Sequence, residues 1–294
     1  MSAPTFDVIV CGSLHLDIVL HAPSLPRPDE TVAGSRWEQK CGGKGANQAV
    51  MAARAGARTA MIGRVGVDDF GDRLLGHLSA HRVDRASVAR DAAAGSGMSC
   101  AIVRDDGEYG AVIVSGANLN IDPLEIDGHW RALGGARLLV LQNEIPEPAN
   151  IAAARCARAT GGRVLLNAAP MRAMSAELLD LIDILVVNRI EAEALAGRPV
   201  SDEAGALAAL PKLGAERRDV IVTLGGAGVV TQPKGQAPIA IAPVPVKVAS
   251  THGAGDCFIG ALAARLAKGA RLVEAATAAN AAAAAFVAGD APWT

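Results

Sequence analysis

Aromatic side chains are scarce in this sequence: four Phe, three Trp and one Tyr among 294 residues. Few rings are therefore available to stack on bases. Lys and Arg are interspersed with Asp and Glu, the formal net charge is −2, and no basic stretch stands out. Nucleic acid and anionic membrane are accordingly not expected partners. Long apolar runs are missing as well. The longest, Ala275 to Ala288, is Ala-rich, interrupted by Asn280, and short of the ~20 residues that cross a bilayer. No basic N-terminal segment leads into an apolar run, so no secretory signal is expected. The five cysteines, Cys11, Cys41, Cys100, Cys156 and Cys257, are widely spaced and include no CxxC pair. A zinc site or disulfide framework is thereby disfavoured, and a reducing cytoplasm is the expected location.

The chain is rich in Ala and Gly, 51% hydrophobic and 20% charged, which suits close packing of helices on a sheet in one large α/β domain. Short β-rich runs lie at Asp7–Cys11, Thr59–Val65, Leu138–Leu141, Val164–Asn167, Ile184–Val187 and Val220–Leu224. Between them the pattern predicts helices over Asn47–Ala55, Asp69–His81, Asn150–Ala159, Ala176–Leu181, Glu191–Ala196 and Asp202–Leu213. Such alternation implies right-handed βαβ units and a mostly parallel sheet, with ligands beyond the carboxyl ends of its strands. Asp17, Glu144, Asn188, Glu191, Gly225 and Gly226 all follow strands at that end. Segments 13–44 and 97–117 interrupt the alternation. The first holds the polar, Pro-rich stretch His21–Arg36; the second holds two β-rich runs, Met98–Val103 and Gly110–Val114, around Asp105-Asp106-Gly107. The latter is a hairpin signal. Together the two excursions predict a small β lid, which would exclude water during transfer chemistry.

Ser250 to Phe258 read Ser-Thr-His-Gly-Ala-Gly-Asp-Cys-Phe and run into an apolar helical pattern. N–H groups at a helix start lack intrahelical partners and, with the helix dipole, make an anion site. Asp256 stands at its mouth, where a carboxylate would repel a resting anion. It fits better as a base that takes a proton while the N–H groups of Gly253, Ala254 and Gly255 hold developing negative charge. That pairing points to phosphoryl transfer onto a hydroxyl. The plainer alternative is a helix N-terminal carboxylate with no further role. A second glycine-rich turn, Gly42-Gly43-Lys44-Gly45-Ala46-Asn47-Gln48-Ala49, also precedes a helix. It lacks the Lys-Ser/Thr ending of a Walker loop, but its glycines permit close backbone approach and Lys44 and Asn47 supply donors.

Taken together, Gly42–Ala49 and Thr251–Asp256 resemble the paired signatures of the ribokinase-like (PfkB) carbohydrate kinase family, and the Gly-Gly-Lys-Gly-Ala-Asn-Gln form is most like that of ribokinases. The resemblance runs over nearly the whole chain. Gly12-Ser13 is similar to the start of the family's first sugar-binding turn, Gly116-Ala117-Asn118 to the return from its lid, Asn188-x-x-Glu191 to its magnesium/phosphate motif, and Thr223-Leu224-Gly225-Gly226 to its nucleotide-loop strand. It implies a three-layer α/β/α sandwich with a mostly parallel central sheet. The core would comprise 1–12, 45–96 and 118–294, with the lid at 13–44 and 97–117.

The implied activity is ATP-dependent phosphorylation of a sugar hydroxyl, D-ribose to ribose 5-phosphate above all. Asp256 would be the base, and the N–H groups of Gly253, Ala254 and Gly255 would face the γ-phosphoryl. Asp17, Gly43, Lys44, Asn47 and Glu144 would bind the sugar, since carboxylates accept several hydroxyl hydrogen bonds. Asn188 and Glu191 would hold the water shell of Mg²⁺, although Asn188 with Glu191 three residues on is also a capping-box pattern. Thr223, Gly225, Gly226 and Gly228 would line the nucleotide phosphates, with Asn280 near the adenine or ribose.

Three departures from the family pattern bear on these roles. Ribokinases usually have Asp where Ser250 stands, at an implied K⁺ site that also includes His252. A neutral Ser is a poorer cation ligand, unless backbone carbonyls supply most of that site. His15 occupies the place of an Asn that touches the sugar. It either reshapes the pocket for another sugar or a nucleoside, with Trp37 and Tyr109 as stacking candidates, or is a surface-loop His. The resemblance also implies further cation- and adenine-site residues after Phe286, where this sequence has only a few more. A non-catalytic sugar-binding homologue is the remaining alternative. Apolar lid strands lead to the expectation of a homodimer formed lid to lid.

Overall fold

The computed structural model describes residues 4–290 other than Asp105 and Gly107. Two residues of the expected Asp105-Asp106-Gly107 turn, and all of 291–294, therefore lie outside the described residues. The chain begins with β1 (Phe6–Cys11), β2 (His15–His21), β3 (Arg36–Gly42) and α1 (Lys44–Arg54). It continues through β4 (Thr59–Gly66), α2 (Asp69–Ala80), β5 (Val83–Asp91), β6 (Gly97–Val103) and β7 (Tyr109–Val114). Next come α3 (Ile126–Leu133), β8 (Ala136–Gln142), α4 (Glu147–Ala159), β9 (Arg163–Asn167), α5 (Ala176–Leu181), β10 (Ile184–Asn188) and α6 (Arg189–Ala196). The last third holds α7 (Glu203–Ala209), β11 (Asp219–Thr223), β12 (Val229–Gln232), β13 (Ile239–Ile241), α8 (Ala254–Ala267) and α9 (Leu272–Val287).

Nine strands form the central sheet in the order β13-β12-β11-β10-β9-β8-β1-β4-β5. It is parallel from β11 to β5; β12 and β13 add an antiparallel edge. Alternate residues of a strand point to opposite faces, and here both faces are apolar. Val8, Val10, Met61, Leu138, Val140 and Val186 pack with residues of α1, α2, α8 and α9. Ile9, Cys11, Ile62, Leu139, Leu141 and Val187 pack with α3, α4, α5, α6 and α7. The result is the expected three-layer α/β/α sandwich with a mostly parallel sheet. Adjacent strands β1 and β8 lead to helices on opposite faces, α1 and α4, so a crevice opens between their carboxyl ends. That is the topological switch point at which open α/β sheets bind ligands.

A separate four-stranded sheet has the order β3-β2-β6-β7. Parallel pairing of β2 with β6, in register from His15↔Gly97 to His21↔Val103, joins its two halves. Asn118 fastens its root: the Asn118 side chain accepts from the Leu14 N–H at 2.9 Å and donates to the Leu14 carbonyl at 2.8 Å.

Some boundaries differ from the sequence expectation for identifiable reasons. Helix α7 stops at Ala209 rather than running to Leu213, because Pro211 has no N–H and disfavours helix in the residue before it. Strand β5 escapes a search for apolar runs because it is an edge strand with exposed polar positions. The Ala-rich run around Asn280 is helix α9, packed on α8. No helix among the described residues is long and apolar enough to cross a membrane.

Candidate active site

Gly253 caps α8 in the left-handed conformation, φ 81°, a backbone state that favours glycine. The Ala254 N–H is already bonded to the Thr251 carbonyl at 3.2 Å, and the Cys257 N–H to the Gly253 carbonyl at 2.9 Å. Gly255 faces open space: a Cβ there would meet nothing within 4 Å. Of the expected anion site, Gly255 is thus the most open element, and the Ala254 donor is engaged within the loop. Asp256, one position on, is buried. Its Oδ2 accepts from Asn47 Nδ2 at 3.0 Å and its Oδ1 from Gln48 Nε2 at 2.9 Å. Burial pushes this carboxyl above the ordinary carboxylate range; the Lys44 charge and the two amide donors oppose the rise, and Glu144 adds to it.

Helix α1 begins at Lys44, three residues earlier than its apolar pattern suggests. No side chain of its own caps it. Glu144, following β8 at the switch point, does so from across the crevice, its Oε2 accepting from the Lys44 N–H at 2.9 Å and the Ser13 hydroxyl at 2.5 Å. The glycines before and within this helix make room for the protein's own backbone. A Cβ on Gly43, at φ 87°, would lie 2.8 Å from the His15 nitrogen, and one on Gly45 would lie 2.5 Å from the Ser13 nitrogen. The close approach anticipated for a ligand is therefore, at these two positions, an approach to the turn between β1 and β2. At Gly42 the space goes to a side chain: a Cβ would lie 2.2 Å from Asp17 Oδ2. Asp17 Oδ1 accepts from the Ser99 hydroxyl at 2.5 Å, across the β2–β6 pair.

His15 is no surface-loop residue. It is buried at the root of β2, 5% exposed, and its Nε2 has no partner among the described residues.

Asn188 and Glu191 form a complete capping box at the start of α6. Asn188 Oδ1 accepts from the Glu191 N–H at 3.0 Å, while Glu191 accepts from the Asn188 N–H at 2.7 Å and from Asn188 Nδ2 at 2.9 Å. Glu191 is buried, which raises its carboxyl pKa; the Asn188 bonds and Lys44 counteract this. Lys44, Asn188, Glu191, Thr223, Gly255 and Asp256 share the walls of one cavity of about 350 Å³. A second cavity, of about 440 Å³, lies between the Gly225–Gly228 turn, Pro243–Val248 and α9. It is lined by Gly225, Gly226, Gly228 and Asn280, and meets the first at Thr223, Gly255 and Phe258. Asn280 also holds that wall, donating to the Ala242 carbonyl at 3.0 Å. Ser250 and His252 are exposed; the Ser250 hydroxyl accepts from the His252 N–H at 3.3 Å. Among the described residues, no group of three or more His, Cys, Asp or Glu side chains is placed to hold a metal ion.

The model of the pfkB family of carbohydrate kinases matches residues 5–290. The chain belongs to this family. A bifunctional ribokinase/ribose-5-phosphate isomerase A from Fructilactobacillus sanfranciscensis is 37% identical over 263 residues; the alignment takes in 88% of this chain and 48% of that longer protein. The chain thus spans about half of that relative's length. Mouse (Mus musculus) ribokinase is 36% identical over 263 residues, covering 88% of this chain and 81% of its own. The structure of Arabidopsis thaliana ribokinase complexed with ribose and ATP superposes with a TM-score of 0.89 at 30% identity, over 100% of this chain and 96% of that one.

Within this kinase fold, three polar residues to which the sequence expectations assign no role of their own hold the expected site side chains in place. Ser13 joins Glu144 to the start of α1, Ser99 holds Asp17, and Gln48 holds Asp256. Their partners lie 131, 82 and 208 positions away in the chain. Gln48 had a clue in the Gly42–Ala49 motif and Ser13 in the Gly12-Ser13 turn, whereas Ser99 had none.

Proposed function

We propose that the chain transfers the γ-phosphoryl group of ATP to a hydroxyl of D-ribose, giving ribose 5-phosphate and ADP. The observation that carries this reading is the placing of buried Asp256 and the open Gly255 start of α8 on one cavity, which joins a second, larger one beneath the Gly225–Gly228 turn. ATP would lie in the larger cavity with its phosphates over Thr223, Gly225, Gly226 and Gly228, its nucleoside near Asn280 and its γ-phosphoryl at Gly253–Gly255. The sugar would be held by Asp17, Gly43, Lys44, Asn47 and Glu144. The hydroxyl proton passes to Asp256, the hydroxyl oxygen forms the new bond to phosphorus, and the bond to ADP breaks. Alignment and stabilisation of charge do most of the work in such a transfer.

Mg²⁺, when bound, would neutralise charge on the phosphates. Both Glu191 oxygens already accept from Asn188, so these two residues would reach the ion through its waters. For a monovalent ion, Ser250 and His252 are exposed, and among the described residues neither belongs to a group of three or more His, Cys, Asp or Glu side chains. Turnover is therefore proposed to be independent of K⁺.

A second acceptor class is favoured by one observation, the buried Nε2 of His15 at the root of the small sheet, which has no partner among the described residues. An acceptor panel decides between them. ADP release measured with ribose, other sugars and nucleosides, in K⁺ and in Na⁺ buffers, should be highest with ribose, require Mg²⁺ and be equal in the two salts. Adenosine or inosine outpacing ribose would reject the ribose assignment, and sugar binding by calorimetry with no ADP release would mark a non-catalytic homologue.

The same reading makes 1–294 one kinase domain in which the small sheet, from segments 13–44 and 97–117, is a lid that closes over the sugar. Its outer strands β3 and β7 have free edges, and Trp37, Val112, Ile113 and Val114 are exposed on them. A second copy covering this surface would remove an edge liability. Light scattering of the intact chain at micromolar concentration should give the mass of a dimer, and a monomer mass would reject the contact. A cytoplasmic location, where ATP is available and the cysteines stay reduced, belongs to the same reading, and cell fractionation checks it.

A further inference from the structure

A line of amide groups runs through the core from one helical layer to the other and ends on Asp256. Asn150 of α4 donates through Nδ2 to the Gln142 carbonyl at 2.8 Å. Gln142, at the end of β8, donates through Nε2 to Gln48 Oε1 at 2.8 Å. Gln48 of α1 donates through Nε2 to Asp256 Oδ1 at 2.9 Å. Gln142 and Asn150 are fully buried and Gln48 nearly so.

The direction of this line follows from its end. An ionised carboxylate only accepts, so Gln48 must turn its NH₂ toward Asp256 and its oxygen toward Gln142. Gln142 must then present its own NH₂. Doing so leaves Gln142 Oε1 buried with no partner among the described residues, against Gly12, where even a Cβ would lie 2.0 Å away. A buried acceptor without a donor is destabilising. Turning Gln142 over would set its oxygen against the Gln48 oxygen. The strained orientation therefore makes sense as the one that keeps Gln48 from rotating its own oxygen onto the carboxylate.

We propose that Gln48 and Gln142 are positioning residues for the phosphoryl transfer, a one-way amide relay that aims the Asp256 carboxylate at the acceptor hydroxyl and favours its ionised form. The proposal rests on the assignment of Asp256 as the base. Each carboxylate oxygen accepts one amide and keeps a second lone pair for the substrate proton. The charged groups facing Asp256 are Lys44 of α1 and Glu144 after β8, with Glu191 of α6 on the same cavity; replacing either glutamine leaves all three in place.

Gln48→Met and Gln142→Met keep volume and remove the amide. With ribose and ATP, each should lower kcat by about 10-fold with both KM values unchanged. The acidic limb of the kcat–pH profile should move to higher pH, because an ionised carboxylate that loses a donor becomes easier to protonate. A purely structural role would lower folded yield without moving that limb, so an unmoved limb in folded variants overturns the proposal. A second arm does not depend on those variants folding. In Asp256→Asn the acceptor-only end is gone and the relay can reverse, so the side-chain amide NMR signals of both Gln48 and Gln142 should shift. Gln142 signals indifferent to that replacement overturn the relay. If Asp256→Ala turns over like the parent chain, the base assignment fails instead, and the amide signals still decide whether the relay exists.

Discussion

Asp256→Ala should lower kcat for sugar phosphorylation by about a thousandfold while the protein stays folded and both substrates still bind. The size of the effect follows from the role. A base within reach of the hydroxyl is used in the transition state and little before it, so its loss appears in kcat rather than in KM. The Gly253–Gly255 turn and Lys44 remain, which leaves a residual rate. Stability should follow a separate rule. Burial raises the Asp256 carboxyl above its ordinary value of 3.8, so folding disfavours the ionised form. That penalty is absent below the unfolded-state pKa and fully present above the raised folded one. Asp256→Asn should therefore lose turnover at neutral pH yet melt no lower than the parent. Stopped-flow or coupled ADP assays with thermal unfolding check both points. Unchanged kcat in Asp256→Ala would remove the base from the mechanism.

Asp17→Ala should raise KM for ribose by about 100-fold, close to 3 kcal/mol of lost binding, as expected for two charge-assisted hydrogen bonds to sugar hydroxyls. KM for ATP should stay within about twofold, because Asp17 sits on the small sheet and is absent from the walls of the cavity under the Gly225–Gly228 turn. The carboxylate is prepared for this role, with Oδ1 held by Ser99 and Oδ2 lying over Gly42, where only glycine leaves it room. A ribose KM that stays put while kcat falls would move Asp17 from binding to chemistry. An altered ATP KM alone would contradict the proposed division between sheet and core.

How much of this was readable from sequence depended on the range of the interaction involved. Strands such as Ile184–Asn188 and helices such as Ala176–Leu181 announce themselves because burial on both faces or on one stripe leaves an apolar period in neighbouring residues. The two glycine turns were also legible, because a positive φ at Gly43 or Gly253 is a local demand. What local pattern could not show is why some of those residues are needed. Gly45 exists to let α1 approach Ser13, and Glu144 begins α1 from a different strand. Neither leaves a mark in its own neighbourhood. The same holds for His15, whose alternatives of pocket and surface are separated only by its burial beside Gly97. The capping box of Asn188 and Glu191, by contrast, is a three-residue pattern and was visible from spacing alone.

The most direct test of the central claim is to identify the product. The purified chain incubated with ribose, ATP and Mg²⁺, and followed by ³¹P NMR and mass spectrometry, should form ADP and a ribose phosphate in equal amounts, with phosphorus on the 5-hydroxyl and no inorganic phosphate. ADP accompanied by free phosphate, or no turnover with ribose bound, would contradict phosphoryl transfer to the sugar at Asp256.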